Sequence, residues 1–218
     1  MSVRRLAIVV SVVAGVLAMA VLPAGAAKPY RAESFDTQIV VGPGGAIVVT
    51  ETLRFAFGPD EFTYVYRELP SRRTDGLTIL EASMDGAPMT RGKGAGQFEV
   101  KRDDNRRRVV WHFRPTSDAT HTFTVTYRAA GVVWQDADSD VLAWTLLPTR
   151  HEYAIDCASG EVRYPDGATL VAGATLDPPS SDVQYERGAV RFERCPFERN
   201  ASWVVTLRFA PRSVATAA

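Results

Sequence analysis

Two side chains of opposite charge carry the most pointed chemistry in this sequence. Glu51 lies in phase with Val49, Leu53 and Phe55, on the apolar side of the alternating run Ala46 to Phe57. A carboxylate placed there must be paired or hydrogen-bonded, or it takes up a proton. Arg67, in Tyr64-Val65-Tyr66-Arg67-Glu68-Leu69, is the natural partner. Its guanidinium can hold a carboxylate in bidentate fashion, and the flanking tyrosines can supply hydroxyl donors. Two chemistries follow. One is an internal structural ion pair that fixes strand register; the other is a polar site in a cleft, with Glu51 as acid or base beside Arg67 and Tyr66. Only the second needs these residues to line an open cleft.

Asp136, Asp138 and Asp140 repeat the spacing of the first three oxygen ligands of a calcium loop. Val141 stands where that loop needs Gly and Leu147 where it needs a bidentate Glu, so an EF-hand is excluded. A looser Ca²⁺ site, or a Ca²⁺-stiffened adhesive module, competes with a plain acidic surface loop, and no other cofactor is expected. His112, His121 and His151 fall at no metal-ligand spacing. With no nucleophile elbow, phosphate loop or dinucleotide fingerprint either, no catalytic residue is assigned and an enzyme is not expected. Cys157 and Cys195 form no Cys-x-x-Cys motif and read as one structural disulfide, stabilising by roughly 4 kcal/mol in the chain-entropy model. Arg91, Lys93, Lys101, Arg102, Arg106, Arg107 and Arg108 outnumber Glu99, Asp103 and Asp104 in one segment. With Asp103-Asp104-Asn105 as a hairpin turn, these charges project from its tip, either as an edge protected from aggregation or as a surface for an anionic envelope polymer or lipid.

The elements that must position these residues are strands. Period-two alternation dominates after residue 27, and no long stretch of helical period appears. Phe35 to Val41 pairs as a hairpin with Ala46 to Phe57 across Gly42-Pro43-Gly44-Gly45. Thr120, Thr122, Thr124 and Thr126 alternate with His121, Phe123, Val125 and Tyr127, the pattern of a sheet packed on one side. A second series includes Val141 to Leu147, Glu152 to Cys157, Glu161 to Tyr164, Ala189 to Arg194 and Ser202 to Phe209. The strands are too many for one seven-stranded sandwich. The expected fold is all-β: two packed antiparallel β-sandwich modules of immunoglobulin-like type, residues 28–135 and 136–211, followed by a disordered tail over 212–218.

The chain has 218 residues, of which 46% are hydrophobic, and its 25 basic side chains balance 25 acidic ones. That composition excludes a disordered or collagen-like chain and a polytopic membrane protein, and gives no global field towards nucleic acid. Residues 1–27 read as a secretory signal peptide: Arg4 and Arg5, an apolar run from Leu6 to Leu22, then Pro23-Ala24-Gly25-Ala26-Ala27 with small residues for cleavage. The alternative is an uncleaved signal anchor. The expected location is therefore secreted or extracytoplasmic, peripheral to the membrane, with an envelope protein or an anionic envelope surface as partner. Only Lys28, Lys93 and Lys101 are Lys, an Arg skew associated with GC-rich bacterial coding sequence.

Gly44-Gly45-Ala46-Ile47-Val48-Val49-Thr50-Glu51-Thr52, Tyr66-Arg67-Glu68-Leu69-Pro70 and Val141-Leu142-Ala143-Trp144 together resemble the extracytoplasmic N-terminal domain of DUF2207, the YciQ-like predicted membrane proteins of unknown function. The resemblance implies that Glu51, Tyr66, Arg67 and Trp144 belong to one recurring set, and brings no activity with it. Members continue into transmembrane helices; here the patterned sequence ends near Phe209, so no spanning helix is expected after removal of the signal segment.

Overall fold

The structure, a computed structural model, describes residues 29–70, 74–103 and 106–214. The signal segment expected over residues 1–27 and the Asp104-Asn105 part of the basic hairpin lie outside the described residues. In chain order the strands are β1 (Tyr30–Val41), β2 (Ile47–Phe57), β3 (Phe62–Pro70), β4 (Gly76–Met84) and β5 (Ala87–Pro88). They continue as β6 (Thr90–Arg91), β7 (Gln97–Asp103), β8 (Arg106–Thr116), β9 (Thr120–Ala130) and β10 (Val133–Gln135). The remainder are β11 (Asp140–Leu147), β12 (Ile155–Arg163), β13 (Thr175–Asp177), β14 (Asp182–Glu186), β15 (Ala189–Arg194) and β16 (Trp203–Phe209). The protein is all-β, built from packed and mostly antiparallel sheets.

Eight strands form one sheet in the order β14-β15-β12-β1-β2-β9-β4-β5, and two four-stranded sheets run β3-β8-β7-β6 and β10-β11-β16-β13. Alternation explains why the large sheet is covered on one face only. Phe35, Ile39, Val49, Leu53, Phe123 and Val125 are buried, while Thr50 and Thr52 meet Thr126 and Thr124 on the opposite, partly open face. The β3 sheet covers one half of the buried face, where Phe113 packs 5.5 Å from Phe123 and Phe57 packs 4.7 Å from Phe62, centroid to centroid. The β11 sheet covers the other half, through Trp144 against Tyr127 and Trp203 against Phe192. One contiguous core joins all three sheets.

The division expected near Gln135 to Ser139 is bridged by the large sheet. β1 pairs in parallel with β12, from Ala32 opposite Ile155 to Val40 opposite Arg163, so strands from both sides of residue 135 share one ladder. Two further expectations are corrected. Glu152–Cys157 and Glu161–Tyr164 are not separate strands: β12 runs unbroken through Gly160, where a Cβ would meet the Phe192 ring at 2.1 Å. The glycine marks close packing and not a turn. The tail expected from residue 212 is anchored over its first residues, because the Arg212 and Val214 amides donate to Asp140 at 3.0 and 2.8 Å and Val214 is buried. The tight β1–β2 turn rests on Gly44 and Gly45, with φ of 76° and 73°.

Candidate functional site

β2 and β3 both alternate, and each delivers one charged residue to its buried face. Arg67 Nε donates to Glu51 Oε2 at 2.5 Å and Nη2 to Glu51 Oε1 at 3.2 Å, with side-chain exposures of only 3% and 1%. Nη2 also donates to the Leu146 carbonyl on β11 at 2.8 Å, and the Tyr127 hydroxyl on β9 donates to Glu51 Oε1 at 2.7 Å. The guanidinium lies 5.0 Å from the Phe35 ring centroid. Burial alone would lower the Arg67 pKa, but the Glu51 carboxylate overrides it and holds the group above its ordinary value. Burial, then the Glu51 charge, raises Tyr127 well above its ordinary value, so its hydroxyl stays a donor. One ion pair thus ties together all three sheets.

The partners differ from the expectation in one respect. Tyr64 and Tyr66 do not donate to Glu51: they are 55% and 36% exposed, because residues adjacent to Arg67 in a strand point to the opposite face. Tyr127 takes that role from across the sheet. Glu51 itself does not line a cleft, whereas Arg67 does.

That cleft is a pocket of about 330 Å³ beside the β3 edge. Phe55, Phe57, Phe62 and Tyr153 line it with rings, and Tyr30 adds a fifth. Thr63, Tyr64, Tyr66, Arg150 and Glu152 are the exposed lining residues. β3 is an edge strand, paired with β8 on one side only. Arg67 Nη1 and the hydroxyls of Tyr30 and Tyr153 make no hydrogen bond among the described residues, although Arg67 and Tyr153 are both buried. Burial, with Tyr66 and Glu152 nearby, pushes Tyr30 up to about 12; burial likewise raises Tyr153. Behind the pocket, His151 Nδ1 lies 2.8 Å from the Tyr153 carbonyl and Nε2 2.7 Å from that of Ala201.

A sequence family described as predicted membrane protein (DUF2207), N-terminal domain, matches residues 31–201. The chain belongs to DUF2207. The family is one of unknown function, and no curated protein matches the sequence. Among solved structures, the M1 zinc metallopeptidase from Deinococcus radiodurans has a TM-score of 0.51 at 14% identity over 83% of this chain. Native leukotriene A4 hydrolase from Saccharomyces cerevisiae has a TM-score of 0.53 at 12% identity over 82%. This DUF2207 domain spans 42% and 29% of those two chains. At such identities the likeness speaks for the fold alone.

Of the residues that carry the DUF2207 motifs, Glu51 and Arg67 are in contact and Trp144 packs on Tyr127, its ring centroid 6.3 Å away. Tyr66 lies on the rim with the Arg108 guanidinium 4.6 Å from its ring. Cys157 and Cys195 are joined by a disulfide. The aspartates do not converge: Asp136 pairs with Arg208 at 2.8 Å, and Asp140 is fully buried beneath the Arg212 and Val214 amides. Among the described residues the only three potential metal ligands gathered within 4.8 Å are Cys157, Glu193 and Cys195, whose sulfurs are already bonded to each other. The basic segment is partly neutralised. Arg106 and Arg108 pair with Glu68, Lys93 and Lys101 with Glu99, while Arg91 donates to the Ile79 carbonyl and Arg107 to that of Arg106. Arg102 is exposed. No helix among the described residues is long and apolar enough to cross a membrane.

Sequence reasoning missed Tyr127, Tyr153, Tyr30 and His151. Tyr127 had a usable signal: it shares a face with Phe123 and Val125, and a buried tyrosine hydroxyl asks for a polar partner. Tyr30 lies far along the chain from His151 and Tyr153, and nothing in the local pattern of either segment marks a shared pocket.

Proposed function

We propose that this DUF2207 domain is an exported, non-enzymatic binding module working at the outer side of a bacterial cytoplasmic membrane, with another envelope protein as its partner. The observation that carries the reading is the aromatic pocket at the free edge of β3, rimmed by exposed Tyr64 and Tyr66. Edge strands and exposed aromatic rings are what protein partners use: the backbone supplies pairing and the rings supply anchors. An anionic surface is favoured less as the partner, because Glu68 and Glu99 neutralise much of the basic hairpin. An acid or base role for Glu51 would need substrate access to a carboxylate that is 1% exposed and saturated with donors.

In-cell cross-linking from a photoreactive residue at position 66 tests the proposal. One envelope protein should be recovered repeatedly and lost on Tyr64→Ala. Recovery of the bait alone, or hydrolase activity of the purified protein that disappears on Glu51→Gln, would overturn it.

A further inference from the structure

We infer that the pocket binds an aromatic carboxylate, with the ring against Phe55, Phe57 and Phe62 and the carboxylate on Arg67 Nη1 and the Tyr153 hydroxyl. The inference rests on the pocket being the binding site of the module and names the chemistry it takes. About 330 Å³ lies at the small end of ligand pockets and suits one ring with a short polar head.

The two halves of the pocket set the two halves of the ligand. Its ring-lined floor is apolar and offers offset or edge-on contacts to another aromatic ring. Beside the carboxylates of Glu68 and Glu152, its lining holds donors on Arg67 and Tyr153 that have no acceptor among the described residues. Arg67 is 3% exposed, and Nε and Nη2 are already committed to Glu51 and Leu146, which leaves both N–H groups of Nη1. Tyr153 is 6% exposed and its hydroxyl is unpartnered among the described residues. Buried donors of this kind are completed by an oxygen acceptor, and most strongly by an anionic one. A cationic ligand would meet Arg67 head-on. A saccharide would press hydroxyls all round its ring against phenylalanine walls that cannot satisfy them. The planar guanidinium can serve two carboxylates from different edges, Glu51 on one and the ligand on the other.

Charges of both signs stand around the pocket. Arg150 lines it, and Glu68 is held by Arg106 and Arg108. Glu152 is the opposing charge in the lining.

Calorimetric titration of the purified protein with N-acetyl-phenylalanine and with N-acetyl-phenylalanine amide tests the inference. The acid should bind at least about tenfold more tightly than its amide, reflecting the charge-assisted contact. Tyr153→Phe keeps the ring and should weaken the acid several-fold while leaving the amide unchanged, and Glu152→Gln should strengthen the acid. Equal binding of acid and amide, or no binding of either at millimolar concentration, overturns the inference. A tetrapeptide ending in a free phenylalanine carboxylate separates two sources of the same chemistry. Tighter binding than the single amino acid assigns a chain terminus, and weaker binding assigns a free aromatic acid. If cross-linking from position 66 recovers a partner while the acid fails, the ligand class falls and the module stands. If the acid binds and cross-linking recovers nothing, the opposite holds.

Discussion

Arg67 on β3 donates to the Leu146 carbonyl of β11 over 2.8 Å, so a side chain of one small sheet satisfies the main chain of the other. The same guanidinium holds Glu51 on the large sheet. A buried pair of this kind does not by itself guarantee a stability gain, because desolvating two ions offsets their attraction. What it fixes is the position of three sheets relative to one another.

Breaking the pair from one side leaves an uncompensated buried charge. Arg67→Met should lower the unfolding free energy by about 3–5 kcal/mol, measured by chemical denaturation. Replacing the whole set, Glu51→Leu with Arg67→Met and Tyr127→Phe, should recover most of that loss, because no charge is then stranded. A triple variant as unstable as the single one would contradict this account.

Alkaline pH should destabilise the protein through its buried tyrosines. Burial raises Tyr127 and Tyr153 and brings Tyr30 to about 12, against about 10 in the unfolded chain. Groups raised on folding hold their protons better when folded, so their contribution is complete below pH 10 and is lost as pH rises through the folded values. Stability followed from pH 8 to 12 should fall, and Tyr127→Phe should flatten the slope.

The ring nitrogens of His151 lie 2.8 and 2.7 Å from the carbonyl oxygens of Tyr153 and Ala201. His151→Ala should lower the unfolding free energy by about 1–3 kcal/mol, because a buried carbonyl loses its donor, measured by chemical denaturation.

The disulfide joins cysteines 38 residues apart. Cys157→Ser with Cys195→Ser should lower stability by roughly 4 kcal/mol, with no further change on adding reductant. The parent protein should lose a similar amount when reduced.

Period-two alternation made most of this fold legible. It assigned Val49, Leu53 and Phe55 to one face, exposed Glu51 as the residue out of character there, and made Arg67 its partner. It could not say which strands are neighbours, because alternation reports the face of a residue and not its lateral pairing. The parallel ladder between β1 and β12 is invisible for that reason. The gap expected between Cys157 and Glu161 is absent for a different reason: Gly160 within it lies under the Phe192 ring, which sits on another strand. The pocket was out of reach because Tyr30, Phe57, Tyr66 and Tyr153 meet only once the large sheet, the β3 sheet and the loop after β11 have assembled.

The β1–β12 ladder also sets an order of events for the nascent chain. β1 lies in the interior of the large sheet, yet the residues that flank it on one side come very late: Asp36 bonds Ser159, 123 positions further on. Until β12 emerges, the second strand edge of β1 stays bare, a row of amides and carbonyls able to pair with any extended segment it meets. Contacts so distant along the chain make assembly slow, and any fragment ending before residue 155 is left with a sticky half-sheet and no means of closing it.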